Sequence, residues 1–138
     1  MGSWEHFPHG ADIGIRGYGE TAAQAFEQAG IAMSAIVTDP ARIKDATRVP
    51  ISVEAPDIEI LLVRWLNAII FEMATRSMVF SQFSVRINDA HLEGSASGEQ
   101  VDIARHEPAV ELKGATLTQL RVRELADHSW LAQCIVDV

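Results

Sequence analysis

The sequence predicts an α+β fold in which two helices pack on one side of a largely antiparallel sheet. Three observations favour this class. Two segments repeat apolar residues with the period of a helix, and several others alternate apolar and polar residues with the period of a strand. No repeat, low-complexity tract or proline-rich linker divides the chain. We therefore expect a single domain over residues 1–138, which is an ordinary domain length.

The first strand and the first helix are predicted before residue 40. Apolar and polar residues alternate over residues 11–18, which indicates a strand. Thr21 followed by Gln24 has the spacing of a capping box, which satisfies free N–H groups at the start of a helix. The helix is expected to end near Thr38, because Pro40 disfavours helical geometry at the residue before it.

A second strand and the strongest helix follow. Alternation predicts a strand over residues 49–55, and Asp57 then precedes a broad apolar stripe that is typical of core packing rather than of a ligand pocket. The stripe consists of Ile58, Leu61, Leu62, Trp65, Leu66, Ile69, Ile70 and Met73.

The rest of the chain has the period of strands. Strands are predicted over Val79–Ile87, from near Leu92 after an Asn88-Asp89 turn, over Val110–Glu124 with or without an interruption, and over Trp130–Val138. In the first of these, Val79, Ser81 and Phe83 are expected to share a face.

Charge and cysteine content restrict the class of protein. The 19 acidic and 11 basic residues give a formal charge of −8, which opposes strong independent binding of RNA or DNA. A basic partner or a metal cation fits this charge better. Arg121 and Arg123 alternate along one stretch, which usually indicates a solvated strand face. The single cysteine, Cys134, excludes an internal disulfide, and its place on an apolar strand face predicts a packed thiol. With no secretory signal or membrane span in the sequence, we expect a cytoplasmic protein.

A loose dinucleotide-binding pattern, GxGxxA, begins at Gly17 and includes Gly19, and Asp39 lies about the right distance downstream. That site requires the acidic residue at the end of a second parallel strand. Here Asp39 directly follows a helix, so we interpret the two glycines as a tight turn and reject a nucleotide site.

Two aspartates on predicted strands are candidates for metal binding. Asp12 and Asp137 each lie off the apolar face of a strand, where aspartate is disfavoured. If the two strands are neighbours, both carboxylates project from one face, close to the Val138 terminal carboxylate. Oxygen ligands favour Mg²⁺ or Ca²⁺ over zinc. Two solvated aspartates at strand ends remain the alternative.

A resemblance supports the metal site. Residues 4–15 (WEHFPHGADIGI) resemble the N-terminal HTAD signature of the archease family. Further segments resemble the family pattern in order: GETAAQAFEQAGIAM, Thr38-Asp39, APDIEILLVRWLN, Gly98-Glu99, ELKGAT (Glu111–Thr116) and the terminal AQCIVDV. The chain departs from the pattern at Gly10, which replaces a threonine, at Gly114-Ala115, and at Leu117-Thr118, which replace a frequent Tyr-His pair.

The resemblance implies a fold and a function. Archeases contain an SHS2-type strand-helix-strand-strand module within a larger α+β domain. They are accessory proteins, not stand-alone enzymes, of the GTP-dependent RNA ligase in tRNA splicing and RNA repair. They promote guanylylation of the ligase and its repeated turnover. The implied partner is that ligase, with RNA contacted only through it, and with no DNA or membrane partner.

The resemblance also implies roles for particular residues. Asp12 and Asp137 are expected to hold a divalent cation, Ca²⁺ or Mg²⁺, with Asp39 as a third ligand. His9 and Thr116 are expected near this site. Asp12, Asp137 and Lys113 are expected to serve the activator function, Lys113 by contacting a phosphate of GTP or a ligase carboxylate.

Two other classes of function remain open. The same carboxylates suit a metal-dependent hydrolase of a phosphate ester, for which His9 is the one obvious general base. A structural adaptor, in which the aspartates have no role, is the other.

Overall fold

The computed structural model describes residues 2–138 and has the predicted α+β class. The strands are β1 (Ser3–His9), β2 (Asp12–Gly19), β3 (Thr47–Glu54), β4 (Met78–Asn88), β5 (His91–Gln100), β6 (Gly114–Ala115), β7 (Arg121–Glu124) and β8 (Trp130–Asp137). The helices are α1 (Ala22–Val37), α2 (Ile58–Arg76) and the short α3 (Ile103–His106), and a 3-10 helix (Pro40–Arg42) follows α1. The antiparallel pairing predicted from the sequence is confirmed in both sheets.

The strands form two sheets, where the sequence predicted one. The first sheet has the order β1-β2-β8-β6, with β7 also paired to β8, and the second has the order β3-β5-β4. Helix α1 packs on β2 and β8 of the first sheet and on β4 of the second, while α2 packs on β3 and on β6. The apolar surface of each helix is wide enough to be covered from two sides, which a single sheet cannot do.

The apolar stripe of α2 lies in the core, as predicted. Its residues Leu61, Leu62, Trp65, Leu66 and Ile69 are fully buried. The indole Nε1 of Trp65 donates a hydrogen bond to the Phe26 carbonyl of α1 at 3.1 Å, so the largest core side chain also satisfies its polar atom. Within residues 2–138, none of the helices combines the length and the hydrophobicity needed to cross a bilayer.

Strand β1 was not predicted from the sequence. It pairs only with β2 and is therefore an edge strand of the first sheet. It contains Pro8, which cannot donate to a ladder and is tolerated at a sheet edge. Most of its residues are exposed, so the strand has no alternation of buried apolar residues to detect.

Gly17 and Gly19 do not form the turn that the sequence predicted, because both lie within β2. A Cβ atom on Gly17 would lie 2.2 Å from the Ala25 carbonyl oxygen and 2.4 Å from the Ala29 nitrogen of α1. The glycine therefore permits the α1 backbone to pack directly against the strand.

Two strands differ in detail from the prediction. The β4–β5 register shifts between Phe80 and Gln82, so Phe80 is fully buried and the predicted Val79-Ser81-Phe83 face is interrupted. The predicted strand over residues 110–124 is two short strands, β6 and β7, separated by a loop.

Candidate functional site

The pairing of β2 with β8 brings the two candidate aspartates together. Ile13 pairs with Val136, and one further step along the same antiparallel register places Asp12 opposite Asp137. Directly opposed residues of antiparallel strands have Cβ atoms about 5 Å apart and point to the same face. The two strands are neighbours, as the metal-site hypothesis required.

This pair points away from the core. Val136 is fully buried, and Ile13 packs against the core cluster. Because side chains alternate along a strand, Asp12 and Asp137 project from the opposite side of the sheet, which is the side not covered by α1. We call this side the outer face of the first sheet.

The two carboxylates are weakly compensated. The Val138 N–H donates to Asp12 Oδ1 at 3.4 Å, and within residues 2–138 neither carboxylate has another hydrogen bond or an ion pair. Like charges directly opposite each other destabilise a sheet. A bound cation would remove this repulsion, and carboxylate oxygens are donors that Ca²⁺ and Mg²⁺ accept.

His9 is on the same face as the aspartates. It pairs with Asp12 across the β1–β2 hairpin, and the turn between them consists of Gly10 and Ala11. Gly10 has a φ of +58°, and Ala11 does not have a positive φ, which is the pattern of a type II′ turn. His9, Asp12 and Asp137 therefore occupy adjacent strands at one end of the sheet.

Lys113 and Thr116 lie near the same end of the sheet, but only the Lys113 side chain is available to contact a partner. The Lys113 N–H donates to the Asp137 carbonyl at 2.9 Å, while its side chain is exposed and forms no ion pair among the residues the structure describes. The Thr116 hydroxyl donates to the Ile135 carbonyl at 2.9 Å, so it holds the chain along β8.

Asp39 is engaged elsewhere. Its Oδ1 accepts a hydrogen bond from the Ala41 N–H at 3.0 Å and caps the 3-10 helix. Over the described chain, no three histidine, cysteine, aspartate or glutamate side chains converge in the manner of metal ligands. The structure thus brings Asp12 and Asp137 together and does not add Asp39 to them.

Comparisons with known proteins agree with the resemblance seen in the sequence. The model of the archease protein family (MTH1598/TM1083) matches residues 4–138. This chain belongs to the archease family. A protein named "Protein archease" from Pyrococcus furiosus is 36% identical to it over 142 residues, with all of both chains covered.

Other archease relatives are similar over the same extent. "Protein archease" from Methanosarcina barkeri is 34% identical over 140 residues, covering 98% of this chain and 95% of the relative. The solution structure of Methanobacterium thermoautotrophicum protein 1598 superposes with a TM-score of 0.85 at 31% identity, with 98% of each chain covered. The fold is therefore the archease fold.

The departures from the archease pattern have structural explanations in two places. Gly10 occupies a left-handed turn position, where a β-branched threonine is strained. At the second place, Leu117 is 63% exposed, and Thr118 joins the sheet through its carbonyl, which accepts from the Ile135 N–H at 3.2 Å. Neither side chain there is needed to hold the strand.

One polar network was missed by the sequence analysis. Glu99 accepts two hydrogen bonds from Arg105, at 2.7 and 2.8 Å, and one from the Lys44 N–H at 2.7 Å. His106, almost fully buried, accepts from the Asp102 N–H at Nδ1, so its Nε2–H donates to Glu99. These groups interact only after the chain turns back, and no spacing rule indicates that turn.

Proposed function

We propose that this chain activates a GTP-dependent RNA ligase, promoting guanylylation of the ligase and repeated RNA joining. Membership of the archease family supports an accessory role in RNA ligation and tRNA processing. The single structural observation on which the proposal rests is the opposed pair Asp12 and Asp137 on neighbouring strands. In this proposal the pair holds a divalent cation, Ca²⁺ or Mg²⁺.

The donor set suits such an ion. The strands that carry the two aspartates are neighbours, so their backbones lie about one strand spacing apart. The carboxylate oxygens are almost free of other hydrogen bonds. Cysteine is not a candidate ligand, because Cys134 is fully buried on the core side and burial raises the pKa of its thiol to about 12. When bound, the cation would supply a positive centre for phosphate oxygens at the ligase active site.

The neighbouring side chains have defined parts in this proposal. The exposed Lys113 ammonium contacts a phosphate of GTP or a carboxylate of the ligase, since it has no partner within residues 2–138. His9 lies beside Asp12, and Thr116 keeps the segment that follows Lys113 against β8. Asp39 becomes a third ligand only if its carboxylate leaves the cap of the 3-10 helix.

The proposal predicts the effect of neutralising either aspartate. Asp12→Asn and Asp137→Asn should each abolish stimulation of the ligase, because each removes a charged ligand from a two-carboxylate site. Guanylylation of the purified ligase by GTP and multiple-turnover RNA joining are measured with and without the variant. Asp39→Asn should reduce stimulation less than either.

A matched control distinguishes the loss of a metal ligand from the mere loss of one negative charge. Asp89 lies in the β4–β5 turn with a φ of +56°, a conformation that asparagine also tolerates, so Asp89→Asn should stimulate normally. Full stimulation by Asp12→Asn or Asp137→Asn would contradict the proposed site. Hydrolysis of a phosphate ester by the chain alone, lost in the same variants, would favour the hydrolase instead.

A further inference from the structure

Two groups of charged side chains without an ion-pair partner among residues 2–138 lie apart on the outer face of the first sheet. The aspartate pair lies at one end. Arg121 and Arg123 of β7 pair with Gln133 and Leu131, which lie four and six residues along β8 from Asp137. At about 3.3 Å per residue, the arginines are therefore about 13 Å and about 20 Å from the aspartate end. The face has a negative end and a positive region.

Both arginines present uncompensated charge to solvent. Val122 between them is buried, so strand alternation directs Arg121 and Arg123 outward, and both are exposed. Arg121 Nη1 donates only to the Leu120 carbonyl, at 3.0 Å, and neither arginine forms an ion pair in the part of the chain that the structure describes. In contrast, Arg16 on the same face contacts Glu5 and Gln133.

The arginines are not needed to protect the edge of the sheet. Charged residues on edge strands commonly prevent pairing with another chain. Here the Val122 N–H donates to Glu59 Oε2 of α2 at 3.2 Å, so a side chain of the helix already pairs the backbone N–H between the two arginines. Their charge is therefore available for another purpose.

We propose that Arg121 and Arg123 bind the phosphodiester backbone of the RNA that the ligase holds, an inference that rests on the proposed function and adds a direct contact to the indirect one implied by the resemblance. Arginine binds phosphate through a planar fork of donors, and the two residues lie about 6.6 Å apart along an extended strand. Because Leu131, Gln133 and Ile135 of β8 are buried on this face, the contact is made to the RNA backbone and not by stacking bases on the sheet.

The net charge of −8 sets the conditions for this contact. It repels free RNA, so the arginines act on RNA that the ligase already holds. Their place on the same face as the aspartate pair allows one strand to contact the arginines while its end lies near the bound cation. The two regions then serve one substrate.

The test compares two double variants with equal loss of charge. Arg121→Gln/Arg123→Gln removes the proposed contacts, and Arg64→Gln/Arg86→Gln is the control, because Arg64 lies on α2 and Arg86 on β4 of the second sheet. Guanylylation of the ligase by GTP is measured without RNA. RNA joining is measured as KM for RNA over a range of salt concentrations.

The expected result separates the two steps. Arg121→Gln/Arg123→Gln should leave guanylylation unchanged and raise KM for RNA by about tenfold at low salt. For this variant, the slope of log KM for RNA against log salt concentration should be smaller by about 1.4 than for the wild type. Each phosphate contact of a single strand contributes about 0.7 to that slope, and two contacts are lost. The control double variant should match the wild type in every measurement.

Other outcomes overturn the inference. An unchanged KM and salt slope would show that the arginines are only solvated. A parallel loss of guanylylation would show that this surface docks on the ligase protein rather than on RNA. Failure of the wild-type chain to stimulate guanylylation would instead refute the proposed function itself, and this result is obtained before any variant is compared.

Discussion

At the scale of single residues, Gly10 has a conformation that few other residues adopt at low cost. Its φ of +58° lies in the left-handed region, and no heavy atom lies within 4 Å of the position that a Cβ would occupy. Any cost of replacing it therefore comes from the backbone and not from a clash. The turn keeps His9 opposite Asp12, so its geometry affects the candidate site directly.

Gly10→Thr should lower the free energy of unfolding by about 1–2 kcal/mol, because a β-branched residue is strained at positive φ. Gly10→Asn should cost less, because asparagine is among the residues that occur at the positive-φ positions of such turns. Urea denaturation of both variants measures the difference. Equal stabilities for the two variants would show that the turn relaxes to another type.

The two aspartates could be identified from the sequence, whereas the role of Gly10 could not. Asp12 and Asp137 are polar residues in strands, and that conflict with strand propensity is visible in the letters alone. The reason for a glycine at position 10 is a backbone angle, which becomes known only when the turn type is known. The packing role of Gly17 was hidden for the same reason, since it depends on the approach of α1.

At the scale of elements, the Glu99 network fastens α3 and the loop after α1 to the second sheet. Arg105 of α3 contacts both Glu99 of β5 and the Arg42 carbonyl, which it reaches at 2.9 Å. Hydrogen bonds from Arg105 and from the Lys44 N–H, and a further one from His106, hold the pKa of Glu99 well below its ordinary value of 4.5. The network thus joins three segments through one carboxylate.

This network predicts a specific acid sensitivity. A carboxyl whose pKa is lowered by folding stabilises the native state above its unfolded pKa, and the contribution is lost as the pH falls through the folded value. Glu99→Gln should therefore lose less stability than the wild type between about pH 5 and about pH 3. Urea midpoints measured across that range test this.

Glu107→Gln is the control for the acid titration. Glu107 forms an exposed ion pair with Arg42 at 2.6 Å, and exposed pairs contribute little. The free energy of unfolding of Glu107→Gln should change with pH in the same way as that of the wild type. A Glu99→Gln curve parallel to the wild-type curve would contradict the role assigned to the network.

Elements with a buried face were predictable, and elements without one were not. Helix α2 was recognised because its apolar stripe has the helical period, and that stripe is buried. Strand β1 has no such face, and the four residues of α3 are too few to show a period. The register shift in β4 was missed because alternation alone does not reveal an extra residue.

At the scale of the whole molecule, a cation that binds only the folded chain must raise the midpoint of thermal unfolding. An ion at about 100 times its Kd adds about 2.7 kcal/mol to the free energy of unfolding. Millimolar Ca²⁺ or Mg²⁺ should therefore raise the Tm of the wild type by several degrees. Asp12→Asn should lose this cation-dependent rise in Tm. In a chelator, its Tm should be no lower than that of the wild type, because the substitution removes the repulsion between two opposed carboxylates.

The comparison is made by calorimetry with and without the cation. Asp89→Asn should keep the full cation-dependent shift, since it lies in the β4–β5 turn. A wild-type Tm that is the same in cation and in chelator would mean that the aspartates hold no ion, as the structural-adaptor interpretation requires.

The fold class was predictable for the whole molecule, and the number of sheets was not. Periodicity identifies helices and strands one at a time, and antiparallel pairing follows from their short connections. Which strands share a sheet depends on how the helices divide their apolar surfaces, which no local pattern records. The sequence alone could not show that β2 and β8 are neighbours, and the structure shows that they pair.

That adjacency has a consequence for the order of folding. The β4–β5 hairpin joins residues close in the chain, whereas β2 and β8 must close a loop of more than a hundred residues before they pair. Contacts of such long separation form slowly. The β2–β8 pairing, which brings the two aspartates together, is therefore expected to form late in folding. An incompletely folded chain lacks the aspartate pair, so ion binding reports the fully folded fraction of a preparation.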